Sequence, residues 1–454
     1  MRRNLIAVVT ALLLMSLASF SQQKPYQADW NSLNSRPTPQ WFDQAKFGIF
    51  IHWGVYSVPS WAPKGQYAEW YWHSMQDHTG ATWKFHVKTY GANFRYQDFA
   101  PMFKARLFHP DQWAELFKAA GARYVVLTSK HHDGFCLWPS AESWNWNSVD
   151  IGPHQDLVGE VSAAVRAQGL RMGLYYSLYE WYNPIYLHDV NRYVDEVMLP
   201  QMKDVVNRYH PAVLWTDGEW EHPSSVWKST QFLAWLFNDS PVKDYIAVND
   251  RWGSETRGKD GGFYTSEYGK GGAHFQKVNY GAVHKWEEDQ GIGASYGFNR
   301  NEDAEDYKTP RQLIALLVRT VSRGGNFLLD VGPTADGRIP DIMQERLLEM
   351  GQWLKTNGEA IYATRPWRAV SDGDNVWYTT HGGAVYAICL KWPGPELNLT
   401  EPKRAGEVSA TLLGWDGRLK TRFAHGQLQI DTPRVGPGTF AAPYAFVFKL
   451  TGVK

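Results

Sequence analysis

The sequence predicts a somewhat irregular (β/α)8-like barrel followed by a C-terminal β-sandwich. Three observations carry this. Eight short apolar runs, most separated by amphipathic helical stretches, fill the first four-fifths of the chain, the alternation expected of a parallel barrel. From about residue 365 the texture changes to short alternating strands with Gly and Asp turns, a sandwich pattern. The 454 residues are too many for one ordinary core and suit a barrel plus a smaller domain.

Taken in order, "MRRN" is a charged leader and "LIAVVTALLLMSLASF" an apolar run, with Ser19 and Ser21 suited to cleavage before Gln22. Residues 1–21 therefore read as a signal peptide and the mature chain as periplasmic or secreted, with no membrane attachment after cleavage. The run is short for a span. The barrel is expected over 22–362 and the sandwich over 363–454, joined at "ATRPW".

The expected barrel strands are "FGIFIHWG", "YVVLTSK", "MGLYYSL", "AVLWTDG", "YIAVND", "GFYTSEY", "ASYGFN" and "NFLLDVGP". "PDQWAELFKAAG" places Trp113, Leu116, Phe117 and Ala120 on one helical face. "DLVGEVSAAVRAQG", "VWKSTQFLAWLFN", "PRQLIALLVRTVSRG" and "DIMQERLLEMGQWLKTNG" are further helices, the third closed by Gly324. Pro200 should break or kink the helix over 191–209. No helix is expected on either side of the sixth strand.

Composition narrows the function. Basic and acidic residues balance at 46 each, which argues against nucleic acid or an anionic membrane as partner. With 23 Trp, 24 Tyr and 21 Phe, the chain is rich in rings that pack cores and also stack on sugar faces. Cys136 and Cys389, its two cysteines, exclude an all-thiolate zinc site. They fall in different domains, and a bridge between them is not expected. A homo-oligomer stays open.

In such a barrel the chemistry lies at the C-terminal strand ends. Those ends carry His52, His131, His132, Asp133, Tyr175, Tyr176, Asp217, Glu219, Asn249, Asp250, Arg251, Glu267 and Asn299. Independent surface residues would not favour one end of each strand, so the ring points to an enzyme. Tyr175 and Tyr176 face opposite ways, so at most one reaches the barrel centre. The same alternation applied to His131 and His132 denies them a chelating pair, and no HxH or HExxH spacing is present, so no metal or other cofactor is expected.

The stretch "LWTDGEW" raises a sharper question. Two carboxylates on one strand reach a substrate from one side, whereas a glycosidase needs its two acids on opposite sides of the scissile bond. The partner of Asp217 should come from another strand, with Gly218 turning the chain before Glu219. Glu267 in "YTSEY" has apolar and aromatic neighbours in sequence, a setting that favours a proton donor.

"FGIFIHWGVYSVPSW", "YAEWYW", "TSKHHDGFCLW", "LWTDGEW", "NDRWG" and "GIGASYGFNRNE" together resemble glycoside hydrolase family 29, the α-L-fucosidases. The resemblance runs in order from about residue 40 to 360 and more loosely beyond. It implies a retaining, metal-free hydrolysis of terminal α-L-fucosyl linkages in oligosaccharides or glycoconjugates. By motif, Asp217 takes the nucleophile's place and Glu267 that of the acid/base, a position that moves among loops across the family. His52, Glu69, Trp70, His131, His132, Tyr176 and Arg251 match positions that grip sugar hydroxyls. Tyr296 matches an aromatic packed on the fucose methyl. Members often carry Phe there, so its hydroxyl needs a partner. "YAEWYW" resembles the broadly acting subgroup rather than the one demanding branched Lewis-type sugars. Two alternatives remain open: a substrate-assisted N-acetylhexosaminidase or chitinase-like enzyme, although Val213 and Trp215 replace the acids that should precede its motif, and a catalytically silent fucose-binding protein.

Overall fold

The computed structural model describes residues 24–269, 284–436 and 438–454. The expected signal peptide, 1–21, lies outside the described residues.

Eight parallel strands form the first domain: β1 Phe47–Ile51, β2 Tyr124–Lys130, β3 Arg171–Ser177, β4 Val213–Asp217, β5 Ala247–Val248, β6 Tyr264–Glu267, β7 Trp286–Gly291 and β8 Asn326–Val331. Their order is β5-β4-β3-β2-β1-β8-β7-β6. The curl closes weakly. Among the described residues only the bridge Asn249↔Phe263 joins the two ends, through the Gly262 and Phe263 amides, which donate to the carbonyls of Asn249 and Val248. A Cβ on Gly262 would sit 1.7 Å from the Val248 oxygen, so this close approach needs glycine. The connection from β5 to β6 is turns without a helix, as expected.

The seventh strand is a correction. "ASYGFN" is a loop, and the strand is "WEEDQG", Trp286–Gly291. Three consecutive acids look like a solvated run, yet Glu287, Glu288 and Asp289 are all buried. Each has a partner, Glu288 accepting from the Gly269 amide at 2.7 Å. Glu287 accepts hydrogen bonds from the Tyr124 hydroxyl and from Trp215 Nε1, the latter at 3.0 Å.

Two apolar layers hold the sheet. Inside the barrel, Phe42, Phe50, Tyr124, Tyr175, Trp215 and Leu328 pack together. Outside, the helices seal it. Pro110–Ala119 starts with Pro in its first turn and buries Trp113, Ala114 and Phe117. Pro310–Ser322 starts on a Thr309/Gln312 capping box. Near Pro200 the α-helical register is interrupted. A π turn, Val194–Met198, precedes the helix Leu199–Tyr209, and the proline sits in that helix's first turn, where its missing N–H is harmless.

The second domain is antiparallel. A five-stranded sheet contains β9 Arg365–Asp372, β10 Val376–His381, β11 Ala384–Cys389, β13 Arg404–Leu412 and β16 Phe446–Val453. A three-stranded sheet contains β12 Glu396–Leu399, β14 Thr421–Ala424 and β15 Gln427–Asp431. Tyr378, Leu397, Leu399, Leu428, Ile430 and Phe448 form one core between them. Trp353 Nε1 donates to the Ala445 carbonyl and Arg311 to that of Tyr444, both at 2.9 Å, tying this domain to barrel helices. Cys136 and Cys389 are both free and buried. No helix of the described residues is long and apolar enough to cross a membrane.

Candidate active site

The C-terminal strand ends surround a pocket lined by His52, Tyr67, Glu69, Trp70, His131, His132, Tyr175, Asp217, Glu267, Asp289 and Tyr296, with Phe50 and Trp215 also contributing and Trp220 at its wall. A larger cavity of about 500 Å³ lies beside the helix Pro310–Ser322, but Asp374 is the one acid among its lining residues. Acid–base chemistry between two carboxyls therefore belongs to the smaller pocket.

Asp217 ends β4. Arg251 Nη1 donates to its Oδ1 at 2.8 Å and the Tyr175 hydroxyl to its Oδ2 at 3.1 Å. Burial pushes its carboxyl upward, but the charges of Arg251 and Arg257 outweigh this and hold it below the ordinary carboxylate value. It is thus held ionised at the wall of the pocket. Gly218 follows at φ 72°, a turn glycine permits. That turn removes Glu219 from the pocket, where it pairs with Arg257. Burial raises the Glu219 carboxyl.

Glu267 ends β6, on a different strand from Asp217. Its surroundings are not only the apolar and aromatic ones suggested by "YTSEY". The Arg251 guanidinium that binds Asp217 through Nη1 pairs with Glu267 through Nη2. Arg251 is itself fixed. Its Nε donates to Thr265 Oγ1 at 2.9 Å, and that hydroxyl donates to Asp250 Oδ1 at 2.8 Å.

The histidines come together against the expected alternation. β2 ends at Lys130, so His131 and His132 lie beyond the pleat and both face the pocket, rings 4.1 Å apart. His132 Nδ1 donates to Ser177 Oγ at 2.7 Å, and that hydroxyl donates in turn to the Tyr179 carbonyl at 2.7 Å. His52 Nδ1 and Asp330 Oδ1 share a hydrogen bond of 2.6 Å. The Ser177 bond leaves His132 with an acceptor Nε2 on its other side. Burial holds all three histidines well below their ordinary value, hence neutral. Among the described residues no group of three or more His, Cys, Asp or Glu is arranged to hold a metal ion.

Glu69 and Trp70 arrive from the long segment after β1. Glu69 Oε2 accepts from the Gly297 amide at 2.8 Å and the Ser295 hydroxyl at 3.1 Å, and burial raises its carboxyl to about 7. Trp70 packs edge-on against His132 and Trp181. Tyr296 faces His52, ring centroids 5.0 Å apart. The partner its hydroxyl requires is Asp289 Oδ1, at 2.6 Å.

Tyr176 is the placement that differs. It points away from the pocket into the outer core, donating to Gln201 Oε1 at 2.8 Å and accepting from Lys130 Nζ at 3.1 Å. The preceding Tyr175 takes the inward position. Others of the polar ring are structural. Asn249 brackets Thr216 with two bonds of 2.8 Å, Asn299 bonds Ala62, and Asp133 accepts from Tyr96 at 2.7 Å. Tyr67, Trp220, Arg257 and Asp289 had no sequence signal strong enough to single them out.

The family model for α-L-fucosidase matches residues 13–359, and that for the α-L-fucosidase C-terminal domain matches 371–451. Tissue α-L-fucosidase of Rattus norvegicus is 49% identical over 442 residues, covering 94% of this chain and 93% of the relative. The α-L-fucosidase of Dictyostelium discoideum is 47% identical over 471 residues, covering 99% of this chain and all of its own. A solved structure of Thermotoga maritima α-fucosidase in complex with fucose is 37% identical, with TM-score 0.79 over 93% of this chain and 100% of that one. Sequence matches across both domains and a shared architecture agree with the two-carboxyl pocket: this chain is a glycoside hydrolase of family 29 and belongs to the α-L-fucosidases.

Proposed function

We propose that the chain releases terminal L-fucose from oligosaccharides or glycoconjugates by double displacement, with Asp217 as nucleophile and Glu267 as acid/base. The observation that supports these roles is the bridging Arg251, which binds a carboxylate from β4 and another from β6 on the two ends of one guanidinium. Asp217 attacks the anomeric carbon while Glu267 protonates the leaving oxygen. Water, deprotonated by Glu267, then cleaves the glycosyl ester, and two inversions restore the α configuration. The neutral His52, His131 and His132, with Glu69 and Trp70, meet the sugar hydroxyls, and Tyr296 meets the methyl.

Replacing Glu267 by Ala should impair fucosides with poor leaving groups far more than activated aryl fucosides, because only the former need protonation. Azide should partly restore turnover and yield β-fucosyl azide. Equal loss on both substrates with no azide effect would move the acid elsewhere, Glu69 first.

Two further readings rest on the sequence. Export removes residues 1–21, so the secreted protein should begin at Gln22; a start at Met1 would contradict this. The chain is of the broadly acting subgroup, so simple aryl fucosides should be good substrates; activity confined to branched Lewis-type sugars would contradict that.

A further inference from the structure

Glu267 has a neighbour that the proposed mechanism leaves idle. In the parallel register of β6 on β7, Glu267 stands directly beside Asp289, and both line the pocket. Asp289 is 1% exposed. Its Oδ1 accepts the Tyr296 hydroxyl. Its Oδ2 is buried, has no hydrogen-bond partner among the described residues, and lies 3.9 Å from Arg251 Nη2, the nitrogen that pairs with Glu267. Two carboxyls thus stand side by side at one guanidinium nitrogen. Like charges so placed cannot both ionise cheaply.

This matters because the acid/base must carry a proton when substrate binds, and a carboxyl resting on a guanidinium tends to lose it. We propose that Asp289 is a positioning residue for the acid/base: with Glu267 it forms a pair that retains one proton between its members, so that Glu267 can donate although it faces Arg251. The inference rests on Glu267 being the acid. In the first step the pair's proton leaves Glu267 for the glycosidic oxygen as the bond from that oxygen to C1 breaks and the bond from Asp217 to C1 forms. The pair is then proton-free. In the second step Glu267 takes a proton from the attacking water, whose oxygen bonds C1 as the ester bond breaks, and the pair regains its proton.

The surroundings agree. Burial first, then the Glu267 charge, push the Asp289 carboxyl well above the ordinary carboxylate range, against the pull of Arg251 and Tyr296. Other titratable groups that act on it are Glu288, next to it on its own strand, Asp330 on β8, Tyr124 on β2 and Tyr67 from the segment after β1. Of all these only Arg251 is cationic.

The test is the pH profile of kcat/KM on a fucoside with a poor leaving group, for wild type, Asp289→Asn and Tyr296→Phe, with Glu267→Ala run alongside. Asp289→Asn removes the second carboxyl, so Glu267 alone faces Arg251 and the alkaline limb should move to lower pH by about one unit or more. Tyr296→Phe removes a donor that favours the Asp289 anion, so the limb should move the other way or stay, and this variant keeps the test open if the first fails to fold. If Glu267→Ala spares activated fucosides but the limb in Asp289→Asn is unmoved, or if Tyr296→Phe moves it to lower pH, the pairing is wrong while Glu267 remains the acid. If Glu267→Ala shows no leaving-group dependence, the acid assignment fails and the inference with it.

Discussion

Tyr175 donates its hydroxyl to Asp217 Oδ2 at 3.1 Å, while Tyr176, the next residue on β3, turns the other way to meet Gln201. One tyrosine therefore serves the nucleophile and the other the core. A hydrogen bond to a charged group contributes about 1.5–3 kcal/mol, so Tyr175→Phe should lower kcat about tenfold to a hundredfold. Tyr176→Phe should leave kcat within about twofold and lower stability by roughly 1–3 kcal/mol, because the Gln201 oxygen stays buried without its donor. Steady-state kinetics and urea unfolding of both variants check this. A kinetic loss confined to Tyr176→Phe would reverse the placement.

Arg251→Lys should be costly despite keeping the charge. An ammonium is a point charge and cannot hold Asp217 and Glu267 on two nitrogens of one plane. We expect kcat/KM to fall about a hundredfold or more, with the thermal midpoint also lowered. Wild-type rates in this variant would remove the bridge from the account.

Glu69 gives a stability prediction with a definite sign. Its folded-state value, about 7, lies above the ordinary one. Its contribution to stability is therefore complete below the ordinary carboxyl value and is lost as pH rises through 7. Glu69→Gln cannot ionise. Relative to wild type, it should gain stability between pH 5 and pH 8, on the order of 1–3 kcal/mol. Urea unfolding of both proteins at the two pH values measures the difference. An unchanged difference would show that Glu69 is already ionised at pH 5.

Much of this site was legible in advance because the barrel imposes it. Apolar strands must pack, so any polar residue at a strand's C-terminal end stands out; His52, Asp217 and Glu267 were found this way. Gly218 announced that Glu219 would turn aside. What the sequence hid depends on partners distant in the chain. "WEEDQG" has a surface composition, and its burial rests on partners elsewhere: the Tyr124 hydroxyl and Trp215 indole for Glu287, the Gly269 amide for Glu288 and the Tyr296 hydroxyl for Asp289. Sequence pattern therefore places the strand eight residues late and passes over Asp289. Pleat alternation gives His131 and His132 opposite faces only if it is carried past Lys130, where β2 ends. Tyr175 and Tyr176 could not be separated without the register of β3.

Chelation is expected to leave activity intact, since the histidines act here through neutral ring nitrogens rather than through an ion. Exhaustive dialysis against EDTA followed by assay checks it. Loss of activity, recovered on adding Zn²⁺, would mean that His131 and His132 bind metal.

The central claim is that Asp217 attacks the sugar and Glu219, two residues on, does not. Asp217→Ala should lower kcat on every fucoside by about three orders of magnitude or more, since a covalent step disappears, and Glu219→Gln by less than about tenfold. The most direct measurement is to trap the glycosyl-enzyme with a 2-deoxy-2-fluoro-fucosyl fluoride, digest it, and sequence the labelled peptide. The account predicts the label on Asp217; a label on Glu219 would contradict it.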